Sequence, residues 1–285
     1  MSTSFLRSSR PSRLFAPLLA ALALAACGGG GGGFDKARVT DIQTGTNLGY
    51  GNNVTFLFIG NFTGEQAFKT DIPNCLTQLT LRSTATELAI SCIVTKSGPM
   101  TVRALDAAGN PVYAKTFDVP VPKVKLTTSS GDIVLELNGN EAPITVNNFL
   151  RYVRDGFYNN TIFHRVIRNF VVQGGGFKTG MVAQTGARAA IINESDNKLK
   201  NLRGTLAMAR GPESNSATSQ FFINVVNNAS LDYVSAANPG YAVFGKVVEG
   251  MDVVDAINAV PTTTRGGHAD VPVTDVVLTS ATRLQ

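Results

Sequence analysis

Apolar and polar residues alternate in short runs over residues 35–121, the period expected of half-buried strands. Val54, Phe56 and Phe58 alternate, with Leu57 and Ile59 between them, which predicts a buried strand. Cys75, Thr77, Leu79 and Leu81 fall on one face of a second predicted strand, and Leu88, Ile90, Cys92 and Val94 on one face of a third. Both faces are expected to point into a core. The stretch Asp106-Ala107-Ala108-Gly109-Asn110-Pro111 is a turn signal between Thr101–Leu105 and Val112–Val119. Strands at this spacing predict a small all-β sandwich domain, with an immunoglobulin-like arrangement as one form open to it.

Val119-Pro120-Val121-Pro122 reads as a stiff extended linker. Beyond it the pattern changes. Val124, Leu126 and Thr128 alternate, Ser129-Ser130-Gly131-Asp132 turns, and Ile133, Leu135 and Leu137 alternate again, which predicts a β-hairpin. Pro143 suits the first turn of a helix, Val146, Phe149, Leu150 and Val153 recur at helical spacing, and Gly156 can end it. A second helix is predicted over residues 250–259, with Val253, Val254 and Ile257 as its apolar stripe. The remainder reads as short strands and long loops.

The N-terminal stretch has the pattern of an address. Arg7, Arg10 and Arg13 form a basic region, and Leu14 to Ala26 is apolar but too short to span a bilayer. Its end, Leu24-Ala25-Ala26-Cys27, resembles the lipobox of bacterial lipoproteins, with the Cys27 thiolate as the group that takes the lipid. Several acyl chains would hold the protein on a membrane. Gly28 follows Cys27 where an inner-membrane lipoprotein would carry Asp. The expected location is therefore periplasm-facing, the outer membrane favoured over the inner. Gly28 to Gly33 would form a flexible tether with a reach on the order of 13 Å. The expected organisation is a signal peptide (1–26), lipidated Cys27 and tether (27–34), the sandwich (35–121) and a second domain (122–285).

Charge and cysteine usage then narrow the partners. The formal net charge of +5 falls to +2 without the three leading arginines. No basic block remains, so no nucleic-acid partner is expected. Export places Cys75 and Cys92 in an oxidising compartment. They are predicted to form a disulfide, contributing about 3 kcal/mol for a loop of that length. His164 and His268 are the only histidines, and neither stands near a cysteine pair, so no metal site is expected.

The informative stretches lie between Thr161 and Gly250. They are Phe163-His164-Arg165-Val166-Ile167-Arg168-Asn169-Phe170-Val171-Val172-Gln173-Gly174-Gly175-Gly176-Phe177, then Gly204-Thr205-Leu206-Ala207-Met208-Ala209-Arg210, then Ser216-Ala217-Thr218-Ser219-Gln220-Phe221-Phe222-Ile223-Asn224, and finally Tyr241-Ala242-Val243-Phe244-Gly245-Lys246 onward to Gly250. In this order they resemble the signature of the cyclophilin-type peptidyl-prolyl cis-trans isomerases, the compact bacterial members above all. The resemblance runs from about Lys123 to the C-terminus. It implies a mainly β fold, an eight-stranded antiparallel barrel with two capping helices, and isomerase activity on X–Pro bonds of exported proteins without a cofactor.

The same resemblance implies the roles. Arg165 would stabilise the twisted amide and grip the substrate carbonyl. Phe170, Val171, Phe222 and Leu231 would hold the proline ring. Gln173 would bind substrate backbone, Gln220 would order Arg165 or substrate, and the main chain of Ala209 and Arg210 would hold the residue before the proline. Tyr241 would flank the pocket where many relatives carry His. This chain departs from the family at Val171 (commonly Met), at Ser230 (commonly aromatic) and at Arg168-Asn169 (commonly Pro-Gly), so a looser loop is expected before Phe170. The alternative is a catalytically weak module that binds proline-containing segments or acts as a chaperone. Gly174-Gly175-Gly176 lacks a following Gly-Lys-Ser/Thr and reads as a tight turn. Ser195, Ser214, Ser216 and Ser219 lack a nucleophile elbow, which argues against a hydrolase. His164 reads as structural.

Overall fold

The computed structural model describes residues 38–62 and 68–284. Cys27, the apolar run before it and the glycine tract lie outside the described residues.

Seven strands come first: β1 (Arg38–Thr44), β2 (Asn53–Asn61), β3 (Lys69–Asp71), β4 (Cys75–Ser83), β5 (Glu87–Val94), β6 (Gly98–Leu105) and β7 (Pro111–Val119). They form two antiparallel sheets, ordered β1-β2-β5-β4 and β3-β6-β7. Lettered in chain order this is ABED over CFG, the strand distribution of a constant-type immunoglobulin sandwich. The alternation read in the sequence faces the right way on the central strands. Val54, Phe56 and Phe58 of β2 are fully buried, as are Met100, Val102 and Ala104 of β6, and together they make the sandwich core. Cys75 and Cys92 are joined by a disulfide with Cα atoms 5.5 Å apart. It links neighbouring strands β4 and β5 of one sheet, whereas the immunoglobulin disulfide crosses between sheets.

The second predicted face is corrected by the structure. Leu79 and Leu81 do not enter the core; they are 59% and 56% exposed, and Leu76 is 61% exposed. Cys75 itself is only half-buried, while its partner Cys92 is buried. Two features explain this. β4 is the outermost strand of its sheet, and the opposing sheet is one strand narrower. Its register also shifts between Leu76 and Leu79 and again between Thr80 and Arg82, with Thr77 at φ 55°. Each bulge reverses the faces, so strict alternation no longer implies one buried side.

The remaining chain builds a second layered unit from β8 (Lys123–Thr128), β9 (Gly131–Leu137), α1 (Pro143–Arg154), β10 (Thr161–Ile162), β11 (Arg165–Ile167), β12 (Val171–Gly174), β13 (Phe177–Lys178), β14 (Val182–Ala183), β15 (Thr205–Met208), β16 (Phe221–Asn224), β17 (Val243–Glu249), α2 (Met251–Asn258), β18 (Thr262–Arg265), β19 (His268–Pro272) and β20 (Val277–Arg283). β8 and β9 are the predicted hairpin. Both predicted helices are present. α1 buries Val146, Phe149, Leu150 and Val153 and ends before Gly156 at φ 65°. Its Ala142 cap has no side chain to offer, and the distant Glu194 carboxylate accepts from Ile144 N (3.0 Å) and Thr145 N (2.8 Å) instead. α2 begins at Gly250, whose φ of 82° and close approach to Asp132 O leave no room for a Cβ.

Sheet order runs β11-β12-β16-β15-β17-β9-β8-β20-β10. The first and last of these are one run of chain, interrupted only by Phe163 and His164. The run therefore closes an eight-stranded antiparallel ring, with β13-β14 attached beside β10. Closure removes the free edges that an open sheet would present. The interior is filled by residues such as Leu126, Ile133, Phe149, Phe163, Phe221 and Phe244. Tyr50, from the β1–β2 loop, joins this same cluster at 1% exposure. Gly139 leaves the space its ring occupies. Arg283 donates to Tyr50 O (2.6 Å), and the Asn140 side chain pairs with both the N–H (3.0 Å) and the carbonyl (3.2 Å) of Ser97.

Candidate active site

Strands β12, β16, β15 and β17 lie side by side and read as nearly continuous apolar runs. Alternate residues point to opposite faces of a strand. Val172, Leu206, Met208, Phe221, Ile223 and Phe244 point into the barrel core. Their neighbours Val171, Ala207, Phe222 and Val243 form a separate buried cluster on the outer wall. Phe170, Leu199, Ala209, Leu231 and Tyr241 pack around it while keeping part of their surface open. The result is an apolar floor outside the barrel with incompletely closed sides.

A chain of polar groups borders that floor. Arg165 lies opposite Gln173 in the β11–β12 ladder, and Gln173 lies opposite Phe222 in the next. Arg165 Nη1 donates to Gln173 Oε1 (3.2 Å), and Gln173 Nε2 donates to Gln220 Oε1 (2.9 Å). The guanidinium is thereby held by Gln173, whose amide is in turn held by Gln220. The glycine run makes this possible. Gly175 sits at φ 84°, and a Cβ at Gly176 would collide with the Gln220 side chain. The sequence reading of that run as a turn fits this role.

The far side is held differently. Phe222 and Tyr241 meet edge to face, 5.6 Å between ring centroids. Arg210 stacks its guanidinium 4.7 Å from the Tyr241 ring and donates to the carbonyls of Gly240, Gly211 and Pro212. Its side chain thus braces the loop. Ala209 N–H donates to Gln220 O (3.0 Å), tying the end of β15 to the residue before β16. Ser230, beside Leu231, is exposed and adds no wall.

The loop before Phe170 is tighter than the Arg168-Asn169 pair suggests. Asn169 takes φ 56°, its N–H donates to Asn258 Oδ1 (3.0 Å), Asn258 Nδ2 donates to Ile167 O (2.8 Å), and Arg168 donates to Ala259 O (3.1 Å). His164 is 4% exposed and packs its ring 4.7 Å from that of Phe177. Burial, reinforced by the neighbouring His268 and Arg165, lowers its pKa to about 4, so it is neutral across the physiological range. It packs as a structural residue.

Of the ten residues read from the sequence, the structure gathers Phe170, Val171, Ala209, Phe222, Leu231 and Tyr241 in the outer-wall cluster; Gln173, paired with Phe222 across the ladder, links Arg165 and Gln220 to it, and Arg210 stacks on Tyr241. Three buried asparagines around that cluster, Asn201, Asn224 and Asn228, went unread, as did Asn258. The available signal was Asn224 closing the run Phe221-Phe222-Ile223 on an outward position where the strand is otherwise apolar.

Comparison with known proteins agrees with this geometry. Residues 123–283 match the family model of cyclophilin-type peptidyl-prolyl cis-trans isomerases. A peptidyl-prolyl cis-trans isomerase of Streptomyces antibioticus is 58% identical over 160 residues, covering 55% of this chain and 96% of the relative. Isomerase B of Escherichia coli is 55% identical over 161 residues, covering 56% and 98%. Among solved structures, a cyclophilin-type isomerase of Cryptosporidium parvum superposes with a TM-score of 0.50 at 27% identity, covering 58% of this chain and 99% of that one. With the barrel closed as that family closes it and the match spanning more than half its length, the chain belongs to the cyclophilin-type peptidyl-prolyl cis-trans isomerases.

Proposed function

We propose that this isomerase acts on X–Pro bonds of exported proteins while anchored to a membrane through Cys27, and that Arg165 is its principal catalytic residue. The observation that carries the site assignment is the Arg165–Gln173–Gln220 chain beside an outward-facing apolar floor.

The chemistry breaks no bond. Rotation about a peptide bond faces a barrier of about 18–20 kcal/mol, because the nitrogen lone pair is delocalised. Uncatalysed X–Pro exchange takes tens to hundreds of seconds, slow enough to limit folding. A catalyst must bind the twisted amide better than either planar form. On twisting, the prolyl nitrogen regains its lone pair and can accept a hydrogen bond. A guanidinium is a permanent donor and cannot lose its charge at working pH. Phe170, Val171, Phe222 and Leu231 hold the ring, Tyr241 flanks it, and the Ala209 carbonyl meets the preceding residue. Gln173 and Gln220 position the guanidinium. Each tenfold acceleration requires about 1.4 kcal/mol of differential stabilisation. A charged hydrogen bond over a dry floor supplies energies of that size.

Export is supported by the order of basic residues, apolar run, small residues and Cys27, and by a disulfide suited to an oxidising compartment. The clients are proline-containing, incompletely folded chains in that compartment. Cis/trans exchange of a short Ala-Pro peptide, followed by NMR, tests the enzyme reading. Acceleration that collapses in a folded Arg165→Ala variant is expected; an equally active variant removes Arg165 from the mechanism.

A further inference from the structure

We propose that Asn201, Asn224 and Asn228 form a positioning relay that fixes the gap between the two walls of the proline pocket, and so set affinity for the prolyl ring. This rests on the outer-wall site being the prolyl site.

Asn201 lies on a distant loop, Asn224 ends β16 and Asn228 follows four residues on; they are 1%, 0% and 6% exposed. Asn228 Nδ2 donates to Phe170 O (3.0 Å) and to Asn224 Oδ1 (2.7 Å). Asn224 Nδ2 donates to Asn201 Oδ1 (3.2 Å) and Thr205 Oγ1 (2.9 Å). Asn201 Nδ2 donates to Leu231 O (3.0 Å) and Asp232 Oδ1 (3.2 Å). Leu231 O also accepts from Tyr241 N (2.9 Å). A continuous path therefore runs from Phe170, on one wall, to Leu231 and Tyr241, on the other.

Direction along this path is fixed by chemistry. A primary amide offers two donors and one acceptor group. Here both donors of each of the three amides are used, Asn228 donating to Asn224 and Asn224 to Asn201. Turning one amide over would set donor against donor and acceptor against acceptor. Buried polar networks of this kind are rigid when satisfied and costly when one member is removed. The main chain adds two ties, Asn228 N to Asn201 O (2.8 Å) and Val225 N to Phe170 O (3.1 Å). None of these groups reaches the Arg165 chain, which is held separately through Gln173 and Gln220. The relay should thus govern how well the ring fits and leave the rotation step, once bound, largely unchanged.

The test measures, on the full chain, Kd for an Ala-Pro peptide by NMR titration and the exchange rate at saturating protein. Variants are Asn228→Ala, the isosteric Asn224→Asp and, as a buried asparagine outside the relay, Asn148→Ala. Asn228→Ala removes the donor to Phe170 O, and Asn224→Asp sets an acceptor against Asn201 Oδ1; each is expected to raise Kd about tenfold. The saturated rate should stay within about twofold. Asn148→Ala, which removes a bond to Thr218 O (2.6 Å), should lower stability and leave Kd unchanged. If a relay variant does not fold, Asn201→Ser supplies the same comparison at the Leu231 end. Unchanged Kd in folded relay variants, or an equal loss in Asn148→Ala, overturns the relay. Failure of the parent protein to bind the peptide at all would instead overturn the assignment of the prolyl site.

Discussion

The sandwich and the barrel are built from the same kind of strand and differ in how many faces those strands bury. In β2 and β6 one face enters the core and the other is half-buried or open. In β12, β15 and β16 nearly every residue is buried, because the inner face fills the barrel and the outer face forms a second small cluster. The outer face is buried under Phe170, Leu199, Ala209, Leu231 and Tyr241, which keep part of their own surface open. That is why Phe221 and Phe222, adjacent in sequence, do different work. Phe221 meets Phe149, Tyr158 and Phe163 edge to face inside the barrel, and Phe222 lies in the outer cluster against Tyr241.

Substituting each in turn breaks this comparison most sharply. Phe221→Ala is expected to cost about 3–5 kcal/mol in urea unfolding while the folded fraction keeps its peptide affinity. Phe222→Ala should lose affinity even after correction for its folded fraction. Comparable affinity in the two folded variants would show that the outer cluster is only packing.

The next effect belongs to the sandwich alone. Replacing Cys75 and Cys92 together by Ser should cost about 3 kcal/mol, read as a lower urea midpoint, with isomerisation of a short peptide unchanged. Lost activity would mean that the sandwich shapes the prolyl site.

Acid should weaken the two regions in sequence. Both histidines of the chain lie beyond Lys123. His164 binds its proton near pH 4 when folded, against an ordinary value of 6.5. Between those values the unfolded chain holds more protons, so stability is complete above pH 6.5 and falls as pH drops through the window. A loss on the order of 2 kcal/mol between pH 7 and pH 5 is expected, and His164→Phe should abolish that slope. In the sandwich, Lys115 and Gln43 hold the Asp41 carboxyl down to about 2. Its contribution is present above pH 3.8 and is lost only as pH falls from there towards 2. Urea titrations across pH separate the two windows.

The smallest effect concerns the contact between the regions. Burial pushes the Tyr50 hydroxyl up to about 12, and its bond to Pro143 O is long at 3.4 Å. Tyr50→Phe should therefore cost about 1 kcal/mol or less. A larger loss in thermal unfolding would give the hydroxyl a role that its geometry does not suggest.

How legible these features were follows from the same contrast. The helices were readable because apolar spacing, Pro143, Gly156 and Gly250 all act within a few residues. Strands β2 and β8 were readable because a single buried face obeys a simple alternation; β5 and β9 were readable because their apolar positions still alternate although both faces are partly buried. β4 misled because its bulges and its edge position cannot be seen in a run such as Leu76 to Leu81. The residues of the outer cluster were singled out through resemblance to a family, since continuous apolar runs alone do not say which side faces the core. The asparagine relay stayed hidden because Asn201, which closes it, meets Asn224 and Leu231 only through the tertiary fold, and an isolated Asn in a loop reads as a turn residue.

The most direct test of the two-faced wall is titration of isotopically labelled protein with an Ala-Pro peptide, following backbone and methyl resonances. The largest shifts are expected on Phe170, Val171, Phe222, Leu231 and Tyr241, with smaller ones on Arg165 and Gln173 and the sandwich strands unmoved. Shifts centred on the sandwich, or on its contact with the barrel around Tyr50, would contradict the two-faced wall.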